Sequence, residues 1–146
     1  MGAKKRTIKE LTPWAGLPND FNPEDWEGYV YTIVHVPSSK CYIGRKYFWK
    51  KLRKKVRGKK RKKLVVTESD WRFYKSSSVE LKKDIEEIGL DSFRFEILSL
   101  HKTRAQTNYE EVKLMFQRDV LHSLLPSGEY EFYNYNILGR YYRGKI

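Results

Sequence analysis

Two short segments early in the chain have the residue pattern of paired β-strands. Residues 28 to 36 (GYVYTIVHV) and 40 to 47 (KCYIGRKY) are rich in β-branched and aromatic residues. A Pro-Ser-Ser sequence typical of turns separates them. The pattern predicts an antiparallel β-hairpin. A turn centred near that proline would place Tyr42 opposite Thr32 and next to Tyr31.

The middle of the chain predicts a helix followed by a strand. A Ser-x-x-Glu capping pattern begins at Ser77, apolar residues follow at helical spacing, and Gly89 stands where a helix commonly ends. These signals predict a helix over residues 78 to 88. Residues 93 to 98 (FRFEIL) alternate apolar and other side chains, which predicts a strand with Phe93 and its alternate neighbours on one face.

The last third of the chain predicts a second helix and a final extended segment. Capping boxes beginning at Thr107 or at Asn108 are alternative starts for the helix. The helix should continue to about Leu124, because a proline at position 126 opposes its extension. Residues 130 to 137 (YEFYNYNI) are aromatic-rich and predicted to be extended.

The first 27 residues differ from the rest in composition. Three prolines oppose regular structure here, and Trp14, Phe21 and Trp26 lie between or beside them. We therefore predict an N-terminal arm, residues 1 to 27, that packs onto a single domain formed by residues 28 to 146. At 146 residues the chain is long enough for one domain with a real core.

Composition excludes several classes of protein. No apolar run is long enough to cross a membrane, and no apolar stretch follows the charged N-terminus as in a secretory signal. The single cysteine, Cys41, rules out an internal disulfide and a zinc site built on several cysteines. We expect a protein of a reducing, intracellular compartment, the cytoplasm.

The formal net charge of +12 is concentrated in one segment. Residues 50 to 63 (KKLRKKVRGKKRKK) contain 11 basic residues and no acidic one, and the rest of the chain has 19 basic against 18 acidic residues. Gly58 disfavours one unbroken helix, so we predict a loop or an irregular helix. Lys and Arg release counterions condensed on nucleic acid, which makes nucleic acid the expected partner. A solvated loop or a nuclear localisation signal is the alternative. The residues predicted to bind nucleic acid are Lys46, Lys50, Lys51, Lys54, Lys55, Arg57, Lys59, Lys60, Arg61, Lys62 and Lys63.

Several polar residues in these elements are candidates for chemistry. Tyr31 and Tyr42 would lie side by side on the hairpin, followed by Arg45, although tyrosine is also common in half-buried strands. Glu111 shares a helix face with apolar residues, and an inward carboxylate must be paired or bind a metal. A carboxylate in the first turn of a helix is the equally weighted alternative.

Two asparagines interrupt the aromatic segment near the C-terminus. A buried Asn134 would bond a backbone group, a metal-bound water or a phosphate. For Asn136, a position in a turn is an equally good interpretation.

Val30-Tyr31 and Tyr42-Ile43-Gly44 resemble the two halves of the signature of GIY-YIG nucleases. The first half departs from the literal motif, since one additional residue separates Gly28 from the tyrosine. The serine-capped helix, the following strand, Glu111 and Asn134 occur in the order found in phage-type and homing-type members. The resemblance covers about residues 28 to 137.

This resemblance implies an α+β fold in which helices flank a three-stranded antiparallel sheet, here with a basic loop insertion. It implies hydrolysis of DNA phosphodiester bonds with one divalent metal, Mg²⁺ or Mn²⁺, held by Glu111. Tyr31 or Tyr42 would orient or deprotonate the attacking water, and nearby cations would lower the tyrosine pKa. Both tyrosines should then be partly exposed and face Glu111 across a phosphate-sized gap. The remaining implied catalytic residues are Arg45, Arg53 and Asn134, with Asn136 as the less favoured asparagine.

The basic segment predicts strong salt dependence with little sequence specificity, because phosphate contacts do not read bases. Specificity would then come from the arm, the basic loop or a partner protein, and cleavage of both strands would suggest a homodimer or sequential nicks. The competing interpretation is a non-catalytic basic nucleic-acid-binding protein, whose tyrosines pack or stack on bases. A third interpretation is a protein with a nuclease fold that has lost its activity and serves in assembly.

Overall fold

A computed structural model of the chain describes residues 10 to 146. It contains eight strands, two α-helices and three single turns of 3-10 helix. The strands are β1 Trp14–Ala15, β2 Gly28–His35, β3 Lys40–Tyr47, β4 Trp49–Lys54, β5 Lys63–Glu68, β6 Phe93–His101, β7 Asn136–Ile137 and β8 Tyr141–Tyr142. The helices are α1 Val79–Ile88 and α2 Arg104–Gln117, and the 3-10 turns are Pro23–Asp25, Trp71–Phe73 and Leu90–Ser92.

The central sheet has four strands in the order β1-β6-β2-β3, so the predicted mixed α+β class is confirmed and the predicted count of three strands is wrong. β2 pairs antiparallel with both β3 and β6, as a hairpin and a returning strand should. The additional strand comes from the N-terminal segment, where Trp14 and Ala15 pair parallel to β6. A two-residue strand beside prolines has too little alternation to be visible in sequence.

The predicted hairpin is present, but its register differs by one residue from the prediction. Tyr42 lies opposite Ile33, not Thr32, and Tyr31 lies opposite Gly44. Tyr31 and Tyr42 are therefore diagonal neighbours on one face, with ring centroids 6.2 Å apart.

The basic segment is neither wholly a loop nor an irregular helix. Both of its ends are strands: β4 and β5 pair antiparallel with each other and form a separate two-stranded sheet. Residues 55 to 62 alone connect them without strand structure, and Gly58 there adopts a positive φ of 82°. We call this hairpin, residues 49 to 68, the basic ribbon.

Both helices are present with boundaries that differ from the prediction. α1 is capped by Ser78, one residue after the predicted Ser77, and its side chain accepts a hydrogen bond from the Leu81 amide. α2 is capped by Thr103 and ends at Gln117, so the predicted start at Thr107 or Asn108 and the predicted end near Leu124 are wrong.

Two buried clusters cover the faces of the sheet. On one face, Tyr29, Tyr31 and Ile33 pack with α1 and with Trp71, and the aromatic residues of the N-terminal segment complete the cluster. On the other face, Val30 and Ile43 pack against α2 and residues of the C-terminal segment. The predicted final extended segment pairs only in short pieces: Tyr130 and Phe132 form isolated bridges with Leu124 and Cys41, and β7 pairs with β8. None of the helices in residues 10 to 146 is long and apolar enough to span a membrane.

Gly44 is required by close packing in the hairpin. A Cβ atom at this position would lie 2.5 Å from Cζ of Tyr31, and closer still to its hydroxyl oxygen. We expect Gly44→Ala to reduce the free energy of unfolding by about 2 kcal/mol, the usual cost of overpacking a core, measured by urea denaturation. Tyr31→Phe should recover part of this loss, because it removes the nearest of the three clashing atoms, which are two of Tyr31 and one of Tyr42. Equal stability of Gly44→Ala and wild type would contradict the packing described here.

Candidate active site

A cleft of about 880 Å³ opens at the edge of the sheet, where β3, the base of the basic ribbon and α2 meet. β3 is an edge strand, so side chains from both of its faces reach the cleft. Residues lining this cleft include Tyr42, Arg45, Lys46, Tyr47, Lys50, Lys51, Tyr74, Ser77, Arg104 and Glu111. A second groove, of about 950 Å³, shares Tyr42, Arg45 and Glu111 with it. The predicted residues Tyr42, Arg45 and Glu111 therefore lie where the two grooves meet.

An ion pair between Arg45 and Glu111 forms the centre of the site. Arg45 Nη1 lies 2.8 Å from Glu111 Oε1 and donates a hydrogen bond to it. The Glu111 side chain is 8% exposed and that of Arg45 is 40% exposed. The carboxylate is thus withdrawn from solvent, while its partner faces the open cleft.

The position of Glu111 in its helix decides between the two interpretations of this residue. α2 begins at Arg104, so Glu111 lies in the helix interior and not in the first turn. Stabilisation of the helix N-terminus, which fades after the first turn, does not explain this carboxylate. Burial raises the pKa of Glu111, and the charge and hydrogen bonds of Arg45 oppose that rise without cancelling it. Burial lowers the pKa of the more exposed Arg45, but its hydrogen bond to Tyr47 and its pairing with Glu111 outweigh burial and raise that pKa overall.

Tyr42 directs its hydroxyl into the cleft. The side chain is half-buried, and its hydroxyl is 3.1 Å from Ser77 Oγ, with which it shares a hydrogen bond. Burial raises the pKa of Tyr42, and Ser77 and Arg45 reduce this effect only in part. The expectation that nearby cations give a lowered tyrosine pKa is wrong in direction, because desolvation of the phenol is the larger effect.

Tyr31 is completely buried, and the expectation that it would be partly exposed is wrong. Trp14 packs edge-on against its ring at 5.1 Å, and the Tyr31 ring also contacts those of Tyr42 and Tyr74. Its hydroxyl makes no hydrogen bond of ordinary geometry within residues 10 to 146, although Tyr74 is near enough to affect its pKa. Burial raises the pKa of Tyr31 well above its ordinary value.

Asn134 holds the edge strand in place. Its Oδ1 accepts from the Ile43 amide at 3.1 Å, and its Nδ2 donates to the Ile43 carbonyl at 2.8 Å. Of the three partners considered from sequence, the backbone is the one observed. Asn136 instead accepts from the Gly139 amide at 3.0 Å, as expected of a turn residue.

The predicted cations lie at different distances from the site. Lys46 lines the cleft and pairs with Asp70 at 2.6 Å. Arg53 is exposed on β4, opposite Leu64, and does not line the cleft. The structure therefore brings Arg45 to Tyr42 and Glu111 and does not bring Arg53 there.

The sequence did not single out Tyr47 and Arg104, which line the cleft, or Asn108, which bonds Tyr47. The Tyr47 hydroxyl accepts from Arg45 Nε at 3.2 Å and donates to Oδ1 of Asn108. The Arg104 guanidinium lies over the Tyr47 ring at 4.2 Å and is fixed by Glu27 and by the Trp49 carbonyl. Tyr47 lies five residues after Tyr42 on β3, and this spacing is the sequence signal that could have identified it. Asn108 and Arg104 can be placed in the site only when α2 is known to begin at Arg104.

A family model described as "Putative endonuclease segE, GIY-YIG domain" matches residues 12 to 137. This match spans most of the chain and contains every residue of the cleft. The chain belongs to the GIY-YIG nuclease family. Comparison with curated proteins and with solved structures gives no match.

This GIY-YIG domain carries its signature residues in two different environments. The tyrosine of the second half, Tyr42, reaches the cleft, and that of the first half, Tyr31, is enclosed beneath it. The match begins at residue 12, so it includes the N-terminal strand β1 that covers Tyr31.

The GIY-YIG cleft offers few side chains that could bind a metal ion. No group of three or more His, Cys, Asp or Glu side chains within residues 10 to 146 is arranged to hold a metal ion. Glu111 supplies a buried anionic carboxylate, and Arg45 already occupies its Oε1. Mg²⁺ keeps several waters and is commonly bound through one or two carboxylates plus substrate phosphates. A single carboxylate therefore fits Mg²⁺ better than it fits an ion whose ligands all come from the protein.

Proposed function

We propose that this protein is a metal-dependent endonuclease that hydrolyses DNA phosphodiester bonds in the cleft formed by Tyr42, Arg45 and Glu111. The observation that carries the proposal is the Arg45–Glu111 pair, 2.8 Å long, beside the Tyr42 hydroxyl in a cation-lined groove. A buried carboxylate, a cation and a hydroxyl group directed into one cleft are suited to chemistry on a phosphate.

Arg45 is suited to bind the scissile phosphate. Nη1 and Nε are engaged by Glu111 and Tyr47, so the guanidinium is held in one orientation. The remaining nitrogen, Nη2, has no hydrogen-bond partner within residues 10 to 146 and can donate to a phosphate oxygen, and arginine matches phosphate geometry well. Arg45 would therefore stabilise the negative charge that develops on the phosphoryl oxygens during attack.

Tyr42 is suited to orient the attacking water. Its pKa is raised by burial, so the hydroxyl is neutral at neutral pH and can both accept and donate a hydrogen bond. Ser77 fixes the direction of the hydroxyl by sharing a hydrogen bond at 3.1 Å. Tyr31, enclosed in the core, would support Tyr42 by packing and would not contact the substrate.

Glu111 would hold Mg²⁺ or Mn²⁺ through its carboxylate. A divalent ion there would lower the pKa of the attacking water and neutralise charge on the leaving oxygen. Glu111 also orients Arg45, and Asn134 fixes the β3 backbone one residue before Gly44. The proposed catalytic set is thus Tyr42, Arg45 and Glu111, with Asn134 acting through the strand.

The proposal is tested by incubating plasmid DNA with the purified protein and Mg²⁺ or Mn²⁺, with a parallel reaction in EDTA. We expect nicked or linear product with either metal and none in EDTA. Cleavage that persists in EDTA would contradict the role given to the metal, and absence of cleavage under all conditions would favour the non-catalytic nucleic-acid binder.

The biological setting we propose is that of a phage-type, homing-like endonuclease, in line with the segE-type family. One such cleft cuts one strand at a time, so a double-strand break would need a homodimer or two sequential nicks. Mapping product ends on a fixed duplex distinguishes these routes, because a dimer gives paired cuts and a monomer gives a nick that precedes the second cut.

Tyr47 is expected to act by positioning Arg45. Tyr47→Phe removes the oxygen that accepts from Arg45 Nε and leaves the stacking of Arg104 on the ring intact. We expect kcat to fall about tenfold with KM nearly unchanged, because the loss of one or two hydrogen bonds leaves Arg45 less well oriented in the transition state. The control is Tyr109→Phe, since Tyr109 is 71% exposed. A rise in KM without a fall in kcat would show that Tyr47 acts in DNA binding instead.

A further inference from the structure

We propose that the basic ribbon enters the major groove of duplex DNA and reads bases on one side of the cleavage site. The inference rests on the proposed function in one respect, that the substrate is DNA. It goes beyond phosphate binding because it assigns the ribbon a face, a groove and a part in choosing the site.

The ribbon is anchored only at its base. Trp49 Nε1 donates to the Trp26 carbonyl at 2.9 Å, Lys51 pairs with Glu27 at 2.9 Å, and Arg104 Nη2 donates to the Trp49 carbonyl. Beyond these contacts, every residue from 52 to 64 is exposed except the half-buried Val56. Among the strands of residues 10 to 146, the two pair only with each other, so the ribbon is free to enter a groove.

The charge of the ribbon is not neutralised by the protein itself. Of the 11 basic residues in positions 50 to 63, only Lys51 forms an ion pair within the described part of the chain. Ten cations with no acidic partner in residues 10 to 146 need a polyanion to compensate them. The base of the ribbon lines the cleft through residues 49 to 51 of one strand and residues 67 and 68 of the other, so DNA bound in the cleft would run along the ribbon.

The dimensions of the ribbon fit a duplex groove. Each strand has six residues, a length of about 20 Å at about 3.3 Å per residue, which spans about six base pairs. The major groove of B-DNA is about 12 Å wide and admits a two-stranded β-ribbon, whereas the minor groove, about 6 Å wide, does not.

The two faces of the ribbon differ in what they present. Paired residues share a face, so Lys50, Leu52 and Lys54 lie on the same side as Thr67, Val65 and Lys63. We call this the reading face. The opposite face begins with Trp49, whose indole is held by the Trp26 carbonyl, and with Lys51, which is held by Glu27; it is therefore turned toward the body at its base.

The reading face has the side chains that recognise major-groove edges. Leu52 lies directly opposite Val65 and forms an apolar pair able to contact thymine methyl groups. Lys54 lies opposite Lys63, and lysine contacts the O6 and N7 atoms of guanine. Residues 55 to 62 at the tip, with six further cations, would contact phosphates and add affinity without base information.

Binding measurements with modified duplexes test this inference separately from catalysis. The protein carries Glu111→Gln and the buffer contains EDTA, so that cleavage plays no part. Duplexes selected for tight binding are rebuilt with 7-deazaguanine and uracil, which alter the major groove, or with inosine, which alters the minor groove. We expect major-groove changes on one side of the site to weaken binding about tenfold, and inosine to have no effect.

Two charge-matched variants assign the effect to the reading face. Leu52→Ser with Lys54→Ser and Lys63→Ser should weaken binding at least tenfold and remove the sensitivity to 7-deazaguanine and uracil. Lys59→Ser with Lys60→Ser, at the tip, should weaken binding while keeping that sensitivity. Each variant should lower the slope of log K against log salt by about two, because each removes two cations.

A-form RNA is the final control, because its deep, narrow major groove excludes side chains. On duplex RNA, the reading-face variant should lose no more affinity relative to its parent than the tip variant loses. The inference is overturned if inosine weakens binding and major-groove changes do not, or if no base change matters and only the salt slope responds. Failure to cleave DNA, by contrast, would leave these binding results unaffected.

Discussion

Glu111→Gln is expected to reduce the rate of DNA cleavage by about 100- to 1,000-fold while leaving DNA binding unchanged, since removal of one preorganised electrostatic group commonly has an effect of this size. Glutamine keeps the shape of the side chain and still accepts from Arg45. It lacks the negative charge that orients the arginine at 2.8 Å and that would hold the metal. Single-turnover cleavage of a labelled duplex measures the rate, and a gel-shift assay in EDTA measures binding.

The matched control is Glu110→Gln, on the preceding residue of the same helix. Glu110 is half-buried and pairs with Lys113 at 3.6 Å, an interaction within one helix turn that contributes little. We expect this variant to cut DNA at the rate of wild type. Equal loss in both variants would mean that the effect comes from the charge of α2 as a whole and not from the Glu111 carboxylate.

The fold of Glu111→Gln should be intact at neutral pH. The folded-state pKa of Glu111 is raised, so its contribution to stability is present at low pH and is lost as pH rises through that pKa. A neutral glutamine avoids this loss, and Arg45 remains solvated because its side chain is 40% exposed. Urea denaturation at neutral pH should therefore find the variant at least as stable as wild type.

The same raised pKa predicts the acid limb of activity. The reaction requires the ionised carboxylate, so at subsaturating Mg²⁺, where the rate reflects the metal-free protein, cleavage by wild type should decline as pH falls through a pKa higher than that of an ordinary glutamate. The residual activity of Glu111→Gln should lack this limb.

Tyr42→Phe should lose most of the cleavage activity, whereas Tyr31→Phe should keep it. Removing the Tyr42 hydroxyl is expected to lower kcat by about 100-fold, the lower range of what positioned proton-transfer groups contribute. Tyr31→Phe should cut DNA at nearly the wild-type rate, because its hydroxyl is enclosed in the core and no substrate atom can reach it.

The stability of the two variants provides an independent check. The Tyr31 hydroxyl is buried without a hydrogen bond of ordinary geometry in the described residues, so its removal should leave the protein as stable as wild type or slightly more stable. Tyr42→Phe loses only the hydrogen bond shared with Ser77. If Tyr31→Phe lost activity and Tyr42→Phe kept it, the roles assigned to the two tyrosines would be reversed.

The elements that sequence predicted well are those fixed by local signals. The hairpin strands and α1 follow from β-branched and aromatic runs, a serine cap and Gly89, and each appears within one or two residues of its predicted bounds. The one-residue difference in hairpin register depends on the turn, where Ser39 adopts a positive φ of 67° that its sequence does not announce.

The predictions for the basic ribbon and for the start of α2 were wrong for a different reason. The correct signals are present in both segments, but other sequence features are stronger. Lys-rich strands lack apolar alternation, although the run Leu64-Val65-Val66-Thr67 has clear strand propensity. α2 has its own capping box, in which Thr103 Oγ1 accepts from the Gln106 amide, and two later capping boxes obscured it. That error kept Glu111 in the first turn and left its role undecided.

The roles of the two tyrosines required tertiary structure. Their sequence contexts are alike, and only the packing of Trp14 and Tyr74 against the Tyr31 ring shows that Tyr31 is enclosed. The same holds for Asn134, whose partner, Ile43, is 91 residues away in sequence. Long-range contacts of this kind do not follow from local pattern.

The most direct test of the proposed site is a side-by-side measurement of Mg²⁺-dependent duplex cleavage by wild type, Glu111→Gln, Tyr42→Phe and Tyr31→Phe under single-turnover conditions. We expect comparable cleavage by wild type and Tyr31→Phe, with both other variants slower by about 100-fold or more. Equal rates for all four proteins would contradict the assignment of hydrolysis to the Tyr42–Arg45–Glu111 cleft.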